Sequence, residues 1–577
     1  MSSNIIIGID LGTTYSCVAY WNETKNMVEV IPNTLGYRTT PSYFSYIDGI
    51  PVVGHLSKQQ APMHPLQTIY DVKRFIGNNE VHEEYPFRTS KVRDTIVFLV
   101  GDKVFTPEDV SAHILSYLKK CAEEHLKCTI TKAVITVPAY FSDAQRSATR
   151  NAGKMAGLDV LRIINEPTAA SLAYITKPDK EENVLVFDLG GGTFDTTILT
   201  ISDGVYDVKA TAGNTRLGGE DFDNNLVDYC VNTYKVVNTP RLRMLCETAK
   251  RQLSQRSLSN FMYEGMKIEL TTDIFNKINQ SLFDKTIMEV DKVLSDSKMS
   301  AQDINEIILV GGSTRIPKIQ EMLTNYFPNK KLNKSLNQDE AVAMGAAIQG
   351  MMLNTQSSTV LLDVIPLSLG VETSGGRINV LIPRNTKKPI KKDNIYTTND
   401  DGQTEIAVNI YEGEREFVKD CKLLGSFVLS GIPRAPKGIP KIQITFNIDF
   451  DGILSVTAKE VSTGIENKIT INQSTISTED INKLLEDAKI NRDKDMQELS
   501  RLCEKNKLEK VLDVLKKTII SCKSDLSEDE YVTLKKLIID NTTWLDEHHK
   551  SSLDEYTKQI IEIETVSKRI LEHKEKH

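Results

Sequence analysis

Two short loops in this sequence carry residues that suit phosphate and metal chemistry. In one of them, the apolar run Val184–Phe187 ends at Asp188, and Gly190–Gly192 then precede Thr193 and Asp195. Three glycines form a tight turn whose backbone can approach a ligand closely, and its N–H groups can cradle a phosphate. Two carboxylates would repel a bare phosphate, so they favour a Mg²⁺ ion held between carboxylate and phosphate.

The same pattern occurs near the N-terminus. There the apolar run Ile5–Ile9 leads to Asp10, Leu11 and then Gly12–Thr14, which repeats the Asp-Leu-Gly triplet of 188–190. Each loop taken alone is also compatible with an ordinary glycine turn that carries a surface carboxylate. Two copies so far apart do not indicate a solenoid. They predict two duplicated halves whose loops face one nucleotide.

The elements around these loops predict an α/β arrangement, because residues 1–350 alternate apolar runs with helical patterns. The sequence predicts a helix over Thr106–Leu126 and buried strands over Lys132–Val137 and Asn305–Val310. The last strand meets a third glycine turn, Gly311–Pro317. Arg315 in this turn is either a surface residue or a guanidinium that stacks on a base. With two phosphate loops already predicted, we favour the second interpretation.

The rest of the chain predicts a linker and two further domains. Residues 1–350 form the predicted nucleotide-binding domain, and 351–363 are polar and then briefly apolar, as expected of an interdomain linker that docks on a domain. Short alternating strands over 364–474 predict a β-sandwich. Residues 475–577 contain no glycine or proline from Ser477 onwards and predict a helical domain.

Composition excludes several classes of function. The chain has 577 residues, a formal net charge of −8 and no long basic block, which argues against nucleic-acid binding. The N-terminus lacks a signal-peptide pattern, and no apolar run approaches the ~20 residues of a membrane-spanning helix. The eight cysteines show no zinc-type spacing, so we expect reduced core thiols and a cytoplasmic protein.

The order of the motifs resembles that of the 70-kilodalton heat-shock chaperones, whose ATPase domain belongs to the actin/hexokinase-like superfamily. The similarity extends over essentially the whole chain. The matching stretches are IGIDLGTTYSCVA, GYRTTPS, DVKRFIG, VITVPAYFSDAQR, RIINEPTAA, LVFDLGGGTFD, LGGEDFD, LVGGSTRIPKIQ, DEAVAMGAA, LLDVIPLSLGVETSGG, YEGERE, LLGSF, GIPRAPKGIP, ENKITI and TWLDE.

The resemblance implies an actin-like ATPase domain, a β-sandwich that binds peptides and a helical lid. It also implies a role for Lys73 at the γ-phosphate and for Glu166 and Asp188 in orienting the attacking water; spacing alone does not select Lys73 or Glu166. Asp10 and Asp188 would hold Mg²⁺ through water, and Asp195 would help to place K⁺. The implied phosphate-binding residues are Gly12, Thr13, Thr14, Tyr15, Gly190, Gly191, Gly192 and Thr193.

Further roles follow from the same resemblance. Pro138 and Arg146 would sense the nucleotide, and Arg162 and Asp363 match positions where J-domain co-chaperones act. The implied adenosine-binding residues are Glu247, Lys250, Arg251, Ser254, Gly311, Gly312, Ser313, Arg315 and Asp339. The implied peptide pocket comprises Val371, Tyr396, Ile406, Val408 and Ile442, which without the resemblance would be interpreted as sandwich core.

The function implied is that of an ATP-dependent chaperone that binds exposed hydrophobic segments of unfolded proteins. Burial of one leucine-sized side chain contributes roughly 1.5–3 kcal/mol, which suits weak and general binding. Two alternatives remain: a holdase or exchange partner that hydrolyses ATP poorly, and a small-metabolite kinase on the same ATPase fold. The sandwich and helical domain argue against the kinase.

The sequence also departs from the family pattern. The stretch Tyr234–Thr272 is short, which puts the use of a nucleotide-exchange factor in doubt, and Ser374 and Asn399 place polar residues in the predicted arch over the peptide. The tail His573–His577 lacks the acidic ending that docks tetratricopeptide co-chaperones, so none is expected.

Overall fold

The computed structural model describes most of the chain, and its described residues form two compact units. One unit contains 1–371, 380–412 and 423–482, and the other contains 372–379, 413–422 and 483–577. The described residues are 5–78, 85–92, 95–174, 181–202, 205–355, 360–365, 367–450, 452–470, 478–523, 526–548 and 551–571.

The first half of the larger unit is organised around the strand that carries Asp10. This strand, β1, pairs in parallel with β11 and antiparallel with β2, in a sheet of order β12-β11-β1-β2-β3. The elements are β1 (Ile6–Asp10), β2 (Tyr15–Asn22), β3 (Met27–Val30), β4 (Thr40–Pro41), β5 (Phe44–Ile47), β6 (Ile50–Val53), α1 (His55–Gln60), β7 (Thr68–Ile69), a 3₁₀ turn (Val72–Arg74), β8 (Arg88–Val92), β9 (Thr95–Val100), β10 (Lys103–Phe105), α2 (Pro107–Leu126), β11 (Lys132–Val137), α3 (Asp143–Met155), β12 (Asp159–Asn165) and α4 (Glu166–Tyr174).

The second half repeats this order around the strand that carries Asp188. This strand, β13, pairs in parallel with β18 and antiparallel with β14, in the order β19-β18-β13-β14-β15. The elements are β13 (Glu182–Leu189), β14 (Phe194–Ser202), β15 (Val205–Asn214), α5 (Gly219–Tyr234), α6 (Pro240–Leu253), β16 (Leu258–Tyr263), β17 (Met266–Thr271), α7 (Thr272–Ile278), α8 (Gln280–Ser297), β18 (Glu306–Val310), a 3₁₀ turn (Gly312–Arg315), α9 (Pro317–Tyr326), β19 (Lys331–Asn333) and α10 (Ala341–Thr355).

The structure therefore shows two halves with the same strand order, and each places its Asp-Leu-Gly loop at the end of the equivalent strand. The predicted strand Lys132–Val137 is confirmed. The predicted helix over Thr106–Leu126 is confirmed as α2, whose first turn is capped by the Thr106 hydroxyl: it accepts a 3.1 Å hydrogen bond from Asp109 N.

The segment that we predicted as a linker, 351–363, is structured at both ends. Its first residues complete α10, which ends at Thr355. After the next gap in the description, β20 (Val360–Val364) adds to the second sheet, where it pairs in parallel with β15 and antiparallel with β23 (Lys387–Lys388). The expected docking of the apolar part is thus observed as strand pairing.

The following residues form two sheets that share an apolar core. Their orders are β22-β21-β25-β26 and β24-β27-β28-β29. The strands are β21 (Leu369–Thr373), β22 (Arg377–Ile382), β24 (Ile390–Tyr396), β25 (Glu405–Glu412), β26 (Lys422–Ser430), β27 (Ile442–Ile448), β28 (Leu454–Glu460) and β29 (Glu466–Thr470). The Asp-Gly pair at 451–452, which predicts a hairpin turn, falls partly outside the described residues.

The C-terminal residues are helical, as predicted. Helices α11 (Thr478–Ser521), α12 (Glu528–Glu547) and α13 (Leu553–Leu571) share a core around Leu508, Leu534 and Tyr556. Within the smaller unit, the Arg415 guanidinium bonds to both carboxylate oxygens of Asp495 in α11, at 2.7 and 3.0 Å.

The expectation of core thiols holds for only some of the cysteines. All eight cysteines are free thiols, and Cys17, Cys121, Cys230 and Cys246 are buried, whereas Cys503 is exposed. Among the helices that the structure describes, none is long and apolar enough to cross a membrane.

Helix α10 crosses β1 and α4 at very short range, because glycines lie at both crossings. A Cβ atom on Gly345 would lie 1.7 Å from the carbonyl oxygen of Ala169 in α4, and one on Gly8 would lie 2.1 Å from Ala347 N. Both distances are far below contact, so neither position tolerates a side chain without a shift of backbone. These crossings hold α4, which carries Glu166 at its start, against the rest of the domain.

We expect Gly345→Ala to lower the thermal unfolding midpoint, because the clash with backbone should destabilise the domain by about 1–3 kcal/mol or more. The direction of the change in midpoint is informative, because Gly→Ala in an unobstructed helix stabilises the folded protein by up to about 1 kcal/mol. Leu353→Ala, near the exposed end of the same helix, serves as the control and should change the midpoint little. An unchanged or raised midpoint for Gly345→Ala would contradict the packing described.

Candidate functional site

The two Asp-Leu-Gly loops lie directly against each other. The Thr14 hydroxyl donates a 3.1 Å hydrogen bond to Glu220 at the start of α5. A Cβ atom on Gly191 would lie 1.9 Å from Thr14 Oγ1, and one on Gly192 would lie 2.6 Å from the Thr13 methyl carbon. The glycine turn is therefore required for the halves to meet, and the meeting point is the predicted phosphate cradle.

The third glycine turn, Gly311–Pro317, packs on the loop that contains Gly190–Gly192. A Cβ atom on Gly311, whose φ is +78°, would lie 2.3 Å from the carbonyl oxygen of Leu189. The Ser313 hydroxyl donates to the carbonyl of Gly190 at 2.8 Å, and Gly311 N donates to the carbonyl of Gln338 at 3.0 Å. The three loops thus form one continuous surface.

This surface lines a cavity of about 540 Å³ between the two halves, large enough for a nucleotide. Every residue that we predicted to be catalytic or nucleotide-binding lines it except Gly192, and the metal-site residue Asp195 also lies outside the lining. The lining residues that sequence reasoning missed are Gly219, Glu220, Asp223, Gln255, Val310, Ile316, Gln338 and Val342.

Most of the missed residues lie inside or beside motifs already quoted. Gly219, Glu220 and Asp223 belong to the stretch LGGEDFD, so closer attention to that motif could have found them. Gln255 follows the stretch CETAKRQLS, and Gln338 precedes DEAVAMGAA; no signal in the sequence marked either.

Lys73 and Glu166 form a buried ion pair at the cavity wall. The 3₁₀ turn Val72–Arg74 carries Lys73, and Glu166 begins α4, so their contact joins residues 93 positions apart. Burial alone would lower the pKa of Lys73, but Glu166 and Asp10 beside it raise the pKa above its usual value. Lys73 therefore carries its positive charge at the predicted γ-phosphate position.

Three further buried carboxylates surround this pair. Burial, and then the charge of Glu166, raise the pKa of Asp10 to about 7 and that of Asp195 to about 8, and the same causes raise the pKa of Asp188. So many acids beside one lysine favour the addition of a cation. Oxygen donors suit Mg²⁺, so the residues fit this ion.

The metal would be held indirectly. Among the described residues, no three His, Cys, Asp or Glu side chains converge closely enough to hold a metal ion. Mg²⁺ commonly keeps several waters and takes further ligands from substrate phosphates. Asp10 and Asp188 would accordingly act through water, as the resemblance implies.

Helix α6 supplies one wall of the far end of the cavity. Glu247 accepts a 2.8 Å hydrogen bond from Lys58 in the first half, and the Lys58 ammonium also donates to the Tyr15 hydroxyl at 3.0 Å. The Arg251 guanidinium lies 5.6 Å from the centre of the Tyr15 ring. Lys58 and Glu247 therefore bridge the two halves across the cavity.

Charged pairs also hold the remaining predicted adenosine residues. Lys250 donates to Asp223 at 2.6 Å and to the carbonyl of Gly219 at 2.7 Å, while Asp339 accepts a 2.7 Å bond from Arg315. Burial raises the pKa of Asp223 to about 7 although Lys250 opposes the shift. The Arg315 side chain is thereby fixed opposite α6.

The predicted switch residues lie behind the cavity. Pro138 follows β11, and the buried Arg146 guanidinium donates to Asn165 Oδ1 at 2.6 Å and to the carbonyl of Ala139 at 3.0 Å. Asn165 immediately precedes Glu166. Arg146 thus connects the turn after β11 with the residue next to the catalytic candidate.

The residues expected at the J-domain seam and in the peptide pocket lie elsewhere in the larger unit. The Arg162 guanidinium lies 5.1 Å from the centre of the Phe450 ring, and Asp363 pairs through its backbone with Lys388. Val371, Val408 and Ile442 are buried in the sandwich core, and Tyr396 and Ile406 are partly buried against it. The peptide pocket stays a prediction.

The carboxylates predict a pH dependence of stability in the nucleotide-free protein. Because the folded-state pKa of Asp10 is about 7, and that of an unfolded Asp is about 3.9, its contribution is full below about pH 4 and is lost as the pH rises through 7. We therefore expect Asp10→Asn, which does not titrate, to gain stability relative to the unmodified protein between about pH 5 and pH 8.

The measurement is the thermal unfolding midpoint of Asp10→Asn minus that of the unmodified protein, taken at about pH 5 and about pH 8. Both proteins are measured without nucleotide and with a chelator that removes metal ions. The exposed Asp273→Asn is a matched control whose difference should not vary with pH. A difference for Asp10→Asn that is the same at both pH values would show that Asp10 titrates normally.

Comparisons with known proteins identify one family and several similar chains. The family model described as Hsp70 protein matches residues 6–576. The chain is 44% identical to a Heat shock 70 kDa protein of Neurospora crassa and 44% identical to one of Emericella nidulans, in each case over 98% of this chain and 93% of the relative. It is 42% identical to Heat shock cognate 70 kDa protein 3 of Dictyostelium discoideum, over 98% of this chain and 96% of the relative.

Proposed function

This chain belongs to the Hsp70 family, and on that premise we propose how its own residues carry out the ATPase step. The protein is an ATP-dependent chaperone and an ATPase. The observation that carries the proposal is the convergence of both Asp-Leu-Gly loops and the Lys73–Glu166 pair on one cavity. ATP would lie there with its phosphates on the two loops and its base between Arg251 and Arg315.

The reaction requires that the γ-phosphate and a water molecule be held in line. Thr13, Thr14 and Thr193 would bind phosphate oxygens, and Lys73 would neutralise charge that develops on the γ-phosphate. Glu166 and Asp188 would orient the attacking water, whose oxygen bonds to phosphorus as the bond to the β-phosphate breaks. Bound Mg²⁺ would neutralise phosphate charge beside Asp10 and Asp188. We further propose that Asp195 helps to place K⁺.

The fold class and domain organisation that we propose are those the resemblance implies: an actin-like domain over 1–350, a linker over 351–363, a peptide-binding sandwich over 364–474 and a helical lid over 475–577. The sandwich would bind an extended hydrophobic peptide of an unfolded protein. ATP hydrolysis would close this peptide site.

Contacts within the larger unit support a route for coupling. Strand β20 of the proposed linker pairs with β15, the Lys387 ammonium bonds to Asp207 of β15 at 2.8 Å, and Arg384 forms an ion pair with Asp296 at the end of α8. ATP and peptide can communicate this way only if each binds the two arrangements of these elements with different affinity.

The proposed partners are unfolded polypeptides and a J-domain co-chaperone that acts near Arg162 and Asp363, in the cytoplasm. The short Tyr234–Thr272 stretch leaves the use of an exchange factor in doubt, and Ser374 and Asn399 are expected to weaken the arch over the peptide. We expect no nucleic acid or membrane among the partners.

We expect Lys73→Ala and Thr193→Ala to lower single-turnover ATP hydrolysis by roughly 10²- to 10³-fold, because each removes a group aimed at developing charge. Nucleotide affinity, measured by calorimetry with ADP, should change far less. Lys103→Ala, at an exposed lysine of β10, is the matched control. Turnover at the unmodified rate in either variant would overturn the assignment.

We also expect a hydrophobic peptide to raise the steady-state ATPase rate. Ile406→Ser should weaken peptide binding by roughly tenfold, since burial of an apolar side chain contributes about 1.5–3 kcal/mol. Ile395→Ser, at an exposed isoleucine of the same sandwich, is the control. If neither peptide nor a J-domain protein changes the rate of the unmodified chain, the poorly hydrolysing holdase is the better description.

A further inference from the structure

Two glutamines line the nucleotide cavity without a role in the chemistry described above. Gln255 follows the end of α6, and Gln338 lies in the loop between β19 and α10. They belong to opposite walls of the far end of the cavity. Each accompanies one of the two arginines between which the base is proposed to lie.

Among the described residues, Gln338 has a hydrogen-bond partner for its backbone carbonyl but none for its side chain. Its carbonyl accepts the 3.0 Å hydrogen bond from Gly311 N, and the residue is only 7% exposed. Within the described part of the chain, no protein group forms a hydrogen bond with its amide. The amide is not among the fully buried polar atoms that lack a partner, so it reaches the open cavity, where a ligand can bond to it.

Gln338 also lies beside the groups that fix Arg315. The next residue, Asp339, accepts the 2.7 Å bond from the Arg315 guanidinium. A ligand that stacks on Arg315 would therefore have an edge near the Gln338 amide.

Gln255 has the corresponding position on the other wall. It lies in the turn that follows α6, four residues after Arg251, and its backbone N–H donates to the carbonyl of Gln252 at 2.9 Å. The neighbouring Ser254 hydroxyl donates to the carbonyl of Lys250 at 3.4 Å. Gln255 is exposed, and among the described residues no group bonds to its amide, so water or a ligand in the cavity can do so.

We propose that Gln255 and Gln338 read the hydrogen-bonding edge of the base and select adenine over 6-oxopurines. A glutamine amide offers one donor face and one acceptor, and adenine presents an acceptor at N7 beside a donor at N6. A 6-oxopurine presents two acceptors there, so the amide that faces this edge loses a bond. The inference rests on the proposed binding of a purine nucleotide in this cavity.

The test compares the binding of ADP and IDP by calorimetry, because the two ligands differ only at the 6-position and N1 of the base. Gln255→Met, Gln338→Met and the double variant remove the amides at nearly constant volume. Gln252→Met, in α6 and outside the cavity lining, is the control; it removes only an acceptor for the Ser259 hydroxyl, away from the cavity. Thermal midpoints without nucleotide show whether each variant is folded.

We expect the unmodified protein to prefer ADP, the double variant to lose roughly tenfold or more of this preference, and at least one single variant to lose part of it. The Gln252→Met control should keep it. A preference unchanged in Gln255→Met and in the double variant, with ADP still bound, would overturn the reading of the base and leave the nucleotide site intact. Failure of the unmodified protein to bind ADP would instead overturn the nucleotide site and this inference together.

Discussion

The ion pair between Lys73 and Glu166 lies among carboxylates that have too little positive charge around them. Asp10, Asp188 and Asp195 are buried in the same region, and burial, followed by the charge of Glu166, raises the pKa of each. Added cations lower the free-energy cost of holding such groups in their ionised form. The arrangement is therefore suited to a ligand that brings Mg²⁺, and the empty and loaded forms differ in electrostatic stability.

This cluster depends on the very close approach of backbone segments from both halves. Glycines at 191, 192 and 311 allow the three loops to touch, and glycines at 8 and 345 allow α10 to lie on β1 and α4. A Cβ atom at any of these positions would clash with the facing segment, so the segments would have to move apart. Because burial is the largest cause of the raised pKa values of the carboxylates, the electrostatics of the site depends on this packing.

Hydrogen bonds and strand pairing connect the cavity to the rest of the larger unit. Arg146 bonds to Asn165, the residue before Glu166, and Lys58 and Glu247 bridge the cavity itself. On the far edge of the second sheet, β20 pairs with β15. In the coupling that we propose, a change in the separation of the two halves would move both sheets and, with them, the strands that lead into the sandwich.

Local patterns in the sequence determined the loops, the strands that end in Asp10 and Asp188, the capped helix α2 and the succession of α/β, β-rich and helical segments, because these depend on residues that are near neighbours in the chain. Only the tertiary structure decided which side chains meet. Thr14 bonds to Glu220 across 206 positions, and the Lys73–Glu166 contact, the raised carboxylate pKa values and the open amides of Gln255 and Gln338 arise from such long-range packing. Spacing along the chain carries no information about it, since burial and charge environment are properties of the assembled halves.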